Sequence, residues 1–538
     1  MKKILFLLTA FILSNVLNAQ SPKPKLVIGI VVDQMRYEYL TRFENHYSED
    51  GFKRLMREGF YAKNTNFSYI PTYTAPGHAS IFTGTTPANH GIIGNNWYDK
   101  TINESVYCVQ DDNVNSIGVE GKVGKMSPHR MLTTSVADQN RLHTQFRGKT
   151  FGVSIKDRGA ILPAGHTANA AYWFAGGDDG KFISSDFYMD ELPKWVKAFN
   201  KNTKQYFKIW NTIKPIETYI ESGSDLNDYE FGFDGKETAT FPYDLKALKS
   251  ENENFSILRP TPYANDMLTD FTLKMIENEN LGQDADTDFI TLSYSSTDYA
   301  GHNFGVNAKE IQDMYIRLDL NIASILEYLD ENIGKGEYTL FFTADHGAVH
   351  VPNYLKDHNI PAGYFESKQL RKDVLEFVEG KFESQDLIEG FSNNQIFFDY
   401  EKLEEHDVDA DDLQESLYYF LLQYDKIDRV YTRDMIENTN ASGAFSRAVE
   451  NGFHPKRSGD VLYILEPAVI SYPPKGSTHG SYMTYDTQAP LMFFGQGIKN
   501  GQSYEPYYIK DIAPTIAALL GIAQPNGTTG KIIGEALK

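Results

Sequence analysis

The chain has 538 residues, with 51 Lys plus Arg against 72 Asp plus Glu and a formal net charge of −21. So acidic a surface repels nucleic-acid backbones and anionic membranes, which excludes both as partners held by charge. A single cysteine, Cys108, excludes an intramolecular disulfide and a thiolate zinc cluster and reads as a bland buried thiol.

The N-terminus, MKKILFLLTAFILSNVLNAQ, places two lysines before an apolar run and then small and polar residues. That is the layout of a secretory signal peptide spanning residues 1–19, with cleavage after Ala19. The apolar run from Ile4 to Leu13 is far shorter than the ~20 residues a membrane span needs. The sequence therefore predicts a periplasmic or secreted protein with no stable membrane anchor. Without residues 1–19, which hold two lysines and no acid, the charge is (51 − 2) − 72 = −23. An anionic substrate must then meet positive charge concentrated locally.

Apolar runs at residues 25–34, 150–157, 288–297, 337–346 and 489–499 read as buried parallel strands. Helical periodicity follows over residues 265–277, 309–332 and 511–520, the last stopped by Gly521. This alternation predicts an α/β fold: a doubly wound, mostly parallel central sheet flanked by helices. Segments at about 159–261 and about 352–474 interrupt the rhythm and read as two large insertions forming a cap or satellite lobe. The acidic stretch EKLEEHDVDADDLQE in the second insertion reads as a solvated helix face and is assigned no metal.

Open α/β sheets place ligands at strand ends, and here those ends carry unusual residues. The first strand ends in Asp33. The run near 290 leads into Asp298 and His302, and the run near 340 ends in Asp345 and His346. His479 lies in the later segment STHGS. Three aspartates and three histidines suffice for two divalent ions with an open position each, and mixed imidazole and carboxylate favours zinc over magnesium. Of the remaining histidines, His78 and His90 are expected to hold their loop together and His350 is left unassigned.

The segment TYTAPGHAS puts Thr74 where a loop becomes a helix. An isolated threonine there is ordinarily an N-cap. A helix N-terminus also offers N–H groups and a positive dipole end to an anion, and a hydroxyl beside a metal can attack in line. Asn95, in HGIIGN, could donate an amide N–H to a phosphoryl oxygen. Lys156 and Arg158, in SIKDRGA, would lie on one side if the extended backbone persists, supplying the required local cations.

Taken together, VVDQMR, TYTAPGHASIFTG, HGIIGN, SIKDRGA, STDYAGH, TADHG and STHGS resemble the alkaline phosphatase superfamily. The resemblance is closest to the periplasmic, phosphate-irrepressible (PafA-type) alkaline phosphatases of Bacteroidetes with a threonine nucleophile. It implies two Zn2+ ions, one held by Asp298, His302 and His479, the other by Asp33, Asp345 and His346 with Thr74 as its nucleophilic ligand. It further implies that Asn95 and Arg158 contact the phosphoryl oxygens and that Lys156 contacts the phosphoryl group in the transition state. The expected activity is hydrolysis of small phosphate monoesters through a phosphothreonine. Sulfatases of the superfamily need Cys or Ser where Thr74 stands. The alternatives are a nucleotide pyrophosphatase/phosphodiesterase, which the Lys/Arg pair disfavours, and a non-catalytic metal- or phosphate-binding protein.

Overall fold

The protein's structure, a computed structural model, describes residues 23–438 and 442–538; the expected signal peptide, residues 1–19, lies outside them. Ten strands form the central sheet: β1 (Leu26–Val32), β2 (Phe60–Ala62), β3 (Ser116–Ile117), β4 (Thr150–Ser154), β5 (Ala170–Ala175), β6 (Lys181–Ser185), β7 (Asp288–Tyr294), β8 (Tyr338–Ala344), β9 (Leu491–Gly495) and β10 (Gly501–Ser503). Their spatial order is β10-β2-β9-β8-β1-β7-β4-β5-β6-β3.

The middle five strands, β8-β1-β7-β4-β5, are all parallel. Every residue of β1, β7 and β8 is buried, as expected for strands covered on both faces, and this is why they read as continuous apolar runs. Gly29 of β1 stands directly opposite Phe341 of β8, and a Cβ there would lie 2.3 Å from the Phe341 ring. Only glycine leaves room for that ring between the two central strands.

Two expectations are corrected at the sheet's flanks. The run at 489–499 does form a strand, β9, but it is antiparallel to both β8 and β2. An apolar run carries burial information and no direction. Residues 170–185, assigned to the first insertion, instead make the parallel strand β5 and its antiparallel partner β6. The turn between them, GGDDG, reads from sequence as a loop, yet AAYWFA before it is wholly buried in the sheet. The first of the two expected insertions therefore leaves the sheet only near residue 186.

Six helices carry or brace the site: α1 (Thr74–Thr83), α2 (Asp157–Ala164), α3 (Pro262–Asn278), α4 (Ser296–Phe304), α5 (Lys309–Leu329) and α6 (Ile512–Leu520). Helix α5 buries Ile311, Met314, Tyr315, Leu318, Ile322, Ile325 and Leu329, a 3–4 residue spacing that seals one sheet face. Each such side chain contributes roughly 1.5–3 kcal/mol by burial. Helix α6 ends at Gly521, whose φ of 59° is the left-handed stop the sequence announces.

Residues 388–392, 395–398, 427–432 and 461–465 form a separate four-stranded sheet. With the helices Ser367–Phe382 and Ala410–Leu422 it encloses its own apolar core. Its inner edge faces Tyr73 and His479 across a cavity of about 150 Å³.

Glu310, in the first turn of α5, is completely buried and accepts a hydrogen bond from Tyr243 at 2.5 Å. Burial, reinforced by Asp225 and Asp313, pushes its carboxyl up from 4.5 to about 8. Folding therefore retains a proton that the unfolded chain releases above its ordinary pKa, so stability falls as pH rises through this window and levels off beyond it. In Glu310→Gln the decline in melting temperature between about pH 5 and about pH 8 is expected to shrink. An unchanged slope would show that Glu310 does not hold this proton.

Candidate active site

The parallel register assembles the site. Val32 of β1 lies opposite both Tyr294 of β7 and Ala344 of β8, so Asp33 and Asp345 emerge side by side at the carboxyl edge. Asp298 follows in the first turn of α4, and Lys156 leaves the end of neighbouring β4. Asp33, Asp298, Asp345, His346, Lys156 and Thr74 are all essentially buried.

Two overlapping groups result. In one, the oxygens of Asp33 and Asp345 and a nitrogen of His346 lie within 4.8 Å of one another. Asp33 Oδ1 and Asp345 Oδ2 stand 3.3 and 3.5 Å from His346 Nε2. In the other, Asp298, His479 and His346 do the same. His479 Nε2 and His302 Nε2 approach Asp298 Oδ1 at 3.5 and 3.2 Å. The rings of His346 and His479 stack with centroids 3.5 Å apart and so bridge the two groups.

These residues offer the donors of a divalent-cation site, with His346 in both groups and His302 in neither. Each of the three histidines commits Nδ1 to a backbone carbonyl: His302 to Ser477 at 2.7 Å, His479 to Thr72 at 2.8 Å and His346 to Gly347 at 3.0 Å. That fixes the tautomer that turns Nε2 into the pocket, the orientation metal-binding histidines need. Asp33 Oδ1 and Asp345 Oδ2 are buried with no well-formed hydrogen bond, facing only the imidazoles of His346 and His78 at 3.2–3.5 Å, an arrangement that leaves lone pairs open to a cation.

Lys156 supplies the local counter-charge. Its ammonium donates to Asp33 Oδ2 at 2.7 Å and to Asp298 Oδ2 at 2.5 Å, and lies 3.4 Å from Thr74 Oγ1. Burial and Asp298 both push the Asp33 carboxyl up, but Lys156 and His346 outweigh them and hold it below the carboxylate range. Burial likewise works against Asp298, which His302 and Lys156 hold well below it. Asp345, buried beside Asp33, is raised. Burial would lower His346, yet Asp345 and Asp33 lift it to about 9, whereas burial and His346 drive His479 down to about 3. A cation bound here would displace the His346 proton, because a ligand must present its lone pair.

Thr74 is not a helix cap. Tyr73 occupies the N-cap position of α1 without a side-chain cap bond, and Thr74 is the first helical residue. Its hydroxyl stands 3.4 Å from His346 Nε2. The expected row of free helix N–H groups is mostly spent: Pro76 has none, Gly77 donates to Tyr73 and Ala75 donates to Asn95 Oδ1. That last bond turns the Asn95 amide so that its NH2 faces outward as a donor. His78 braces α1 from behind, holding the Thr74 carbonyl at 2.9 Å and Ser293 Oγ at 2.8 Å, while His90 meets Ser80 Oγ at 3.0 Å.

The backbone does not stay extended through Lys156-Asp157-Arg158. Lys156 is extended, but α2 begins at Asp157. The two side chains therefore take different partners. Lys156 enters the carboxylates, while Arg158 meets Tyr107 Oη at 3.0 Å and keeps a buried Nε free of partners.

Two residues escaped sequence reasoning. Gln34, held at φ 61°, donates its side-chain amide to Asp298 at 2.7 Å and its backbone N–H to Asp345 at 3.1 Å. Asp486 accepts from Gly480 N, Ser481 N and Ser481 Oγ, and its carbonyl accepts from Gly347 N. It straps the His479 loop to the His346 loop. Gln34 was legible as the neighbour of Asp33 in VVDQMR; Asp486 carried no signal.

A family model described as type I phosphodiesterase / nucleotide pyrophosphatase matches residues 27–488, and the chain belongs to that family. Within it, the chain is 44% identical to alkaline phosphatase PhoV of Synechococcus elongatus over 96% of this chain and 93% of that protein. It is 41% identical to alkaline phosphatase PafA of Elizabethkingia meningoseptica over 99% and 98%. A crystal structure of PafA superposes with a TM-score of 0.93 at 40% identity, covering 96% of this chain and all of that one. A Myroides odoratus protein named calcium-transporting ATPase is 46% identical over 96% and 95%. Among the described residues here, no helix is long and apolar enough to cross a membrane.

Gly77 lets α1 approach Asp345: a Cβ there would stand 2.4 Å from the Asp345 carbonyl oxygen and 2.8 Å from its Cβ. Gly77→Ala is therefore expected to shift Thr74 relative to Asp345 and lower kcat by about 10²-fold, with the circular dichroism spectrum retained. Wild-type turnover in this variant would mean that the α1–Asp345 approach is not needed for catalysis.

Proposed function

We propose that this chain is an exported di-zinc alkaline phosphatase that hydrolyses phosphate monoesters through a covalent phosphate on Thr74. The observation that carries this reading is the Thr74 hydroxyl buried at the junction of the two ligand groups, within 3.4 Å of both His346 and Lys156. The alkaline phosphatases similar over nearly the whole chain support the same activity. The leader-like residues 1–19 support export to the periplasm or beyond.

Asp298, His302 and His479 would hold one zinc, and Asp33, Asp345 and His346 the other. When bound, the two ions supply Lewis-acid charge that lowers the pKa of the Thr74 hydroxyl and stabilises the departing oxygen. Thr74 Oγ1 forms a bond to phosphorus as the ester P–O bond breaks, and the alcohol leaves on the face opposite Thr74. Water then displaces Oγ1, releasing inorganic phosphate and restoring the threonine. The Asn95 NH2 and the Arg158 guanidinium bind the non-bridging oxygens, and the Lys156 ammonium neutralises charge on the phosphoryl group as it transfers. Guanidinium and ammonium together match a terminal dianion, whereas a diester brings one charge fewer and a second substituent.

The family model's description favours one competing activity, phosphodiester cleavage. An aryl phosphate is expected to be cleaved faster than the matching methyl aryl diester; the reverse order would make the chain a diesterase. Thr74→Ala is expected to lose more than about 10³-fold in kcat while keeping its zinc content. Full activity in that variant would remove Thr74 as nucleophile.

A further inference from the structure

A groove of about 440 Å³ leads away from the site, beginning at Tyr299 and His302. In-line attack by Thr74 expels the alcohol on the opposite side of phosphorus, beside the Asp298, His302 and His479 group. The groove next to His302 therefore receives the alcohol half of the ester, an assignment that rests on the roles proposed above.

Its walls are aromatic. Tyr472 stacks on His302 with centroids 5.7 Å apart and planes 26° apart, and Phe231 meets Tyr472 nearly edge-on at 6.4 Å and 74°. Phe231 keeps 46% of its surface exposed at the mouth, where a large open ring marks a contact surface. Tyr299 lines the inner end.

Its charge is polarised. At the Tyr299 end, Lys156 Nζ lies 5.1 Å and the Arg259 guanidinium 5.8 Å from the Tyr299 ring centroid. Farther out the groove is lined by Asp234, Glu251 and Glu253, none of which forms an ion pair with a described residue. A ligand matching this gradient is anionic at the phosphate and cationic at the far end of its alcohol. Ring faces attract such a cation through their quadrupole, and free carboxylates add a longer-range attraction that salt screens.

We propose that this groove selects phosphate monoesters of amino alcohols, with the ammonium group held between Phe231 and Tyr472 and drawn in by Asp234, Glu251 and Glu253. An alcohol half bearing a second anion is repelled by the same carboxylates.

The test compares choline phosphate with its neutral isostere, 3,3-dimethylbutyl phosphate. Both present the same dianion, so the ratio of their kcat/KM values reports the alcohol half alone, and the intrinsic reactivity difference cancels between enzyme variants. Replacing Asp234, Glu251 and Glu253 together by Asn, Gln and Gln is expected to lower that ratio by about tenfold. Replacing Asp234 and Glu251 alone by Asn and Gln is expected to lower it about fivefold, a measurement that decides the matter even if the triple variant fails to fold. A ratio unmoved by both changes overturns the proposal. If the wild type cleaves neither ester but cleaves an aryl phosphate, the groove proposal alone falls; if it cleaves no monoester at all, the phosphatase reading falls first and takes the groove with it.

Discussion

Three aspartates share one buried pocket at the ends of adjacent parallel strands, and everything else in the site answers that fact. Carboxylates buried this close, with Asp33 and Asp345 oxygens within 4.8 Å, cannot all stay ionised without positive charge among them. Within the chain that charge comes from Lys156, which bridges Asp33 and Asp298, and from His346, whose affinity for a proton is raised by its two aspartate neighbours. Such a pocket is expensive to fold and inexpensive to load with cations, the balance a two-metal hydrolase needs.

The periphery keeps this pocket in register. The Val32–Ala344 and Val32–Tyr294 pairings set Asp33 and Asp345 side by side. Gln34 then ties both neighbours to the first strand with two hydrogen bonds. Asp486 fastens the His479 loop to the His346 loop, and Thr72 reaches that loop through the Ser481 carbonyl at 2.9 Å. The His479 ring is therefore held by both the segment leading into Thr74 and the segment carrying His346. Three insertion elements surround the opening: residues near 231 and 251–260 build the groove at His302, and the second lobe walls the side of Tyr73.

Much of this was legible in the sequence, for a physical reason. Strands buried on both faces announce themselves as apolar runs, and aspartate or histidine directly after such a run has no packing reason to be there. Asp33, Asp298, Asp345 and His346 stood out on that ground. What the sequence hid was direction and conformation. Nothing in the apolar run at 489–499 shows that β9 runs against β8, because the antiparallel pairing is decided by the long path of the second insertion. AAYWFA was masked by the Gly/Asp turn that follows it. That Lys156 and Arg158 take different partners depends on α2 starting between them, and Asp157, a good residue for a first helical turn, was the available clue. Asp486 sits only five and six residues from Ser481 and Gly480, but its bond to Gly347 N joins segments distant in the chain, and no local pattern reveals that link.

The central claim is that the three buried aspartates exist to hold two divalent cations around Thr74. The most direct measurement is metal analysis of the purified wild-type protein and of Asp345→Asn and Asp298→Asn. The account predicts two zinc ions per chain in the wild type and loss of about one in each variant. A fully active wild type holding less than one divalent ion per chain, or variants that keep both ions, would contradict it.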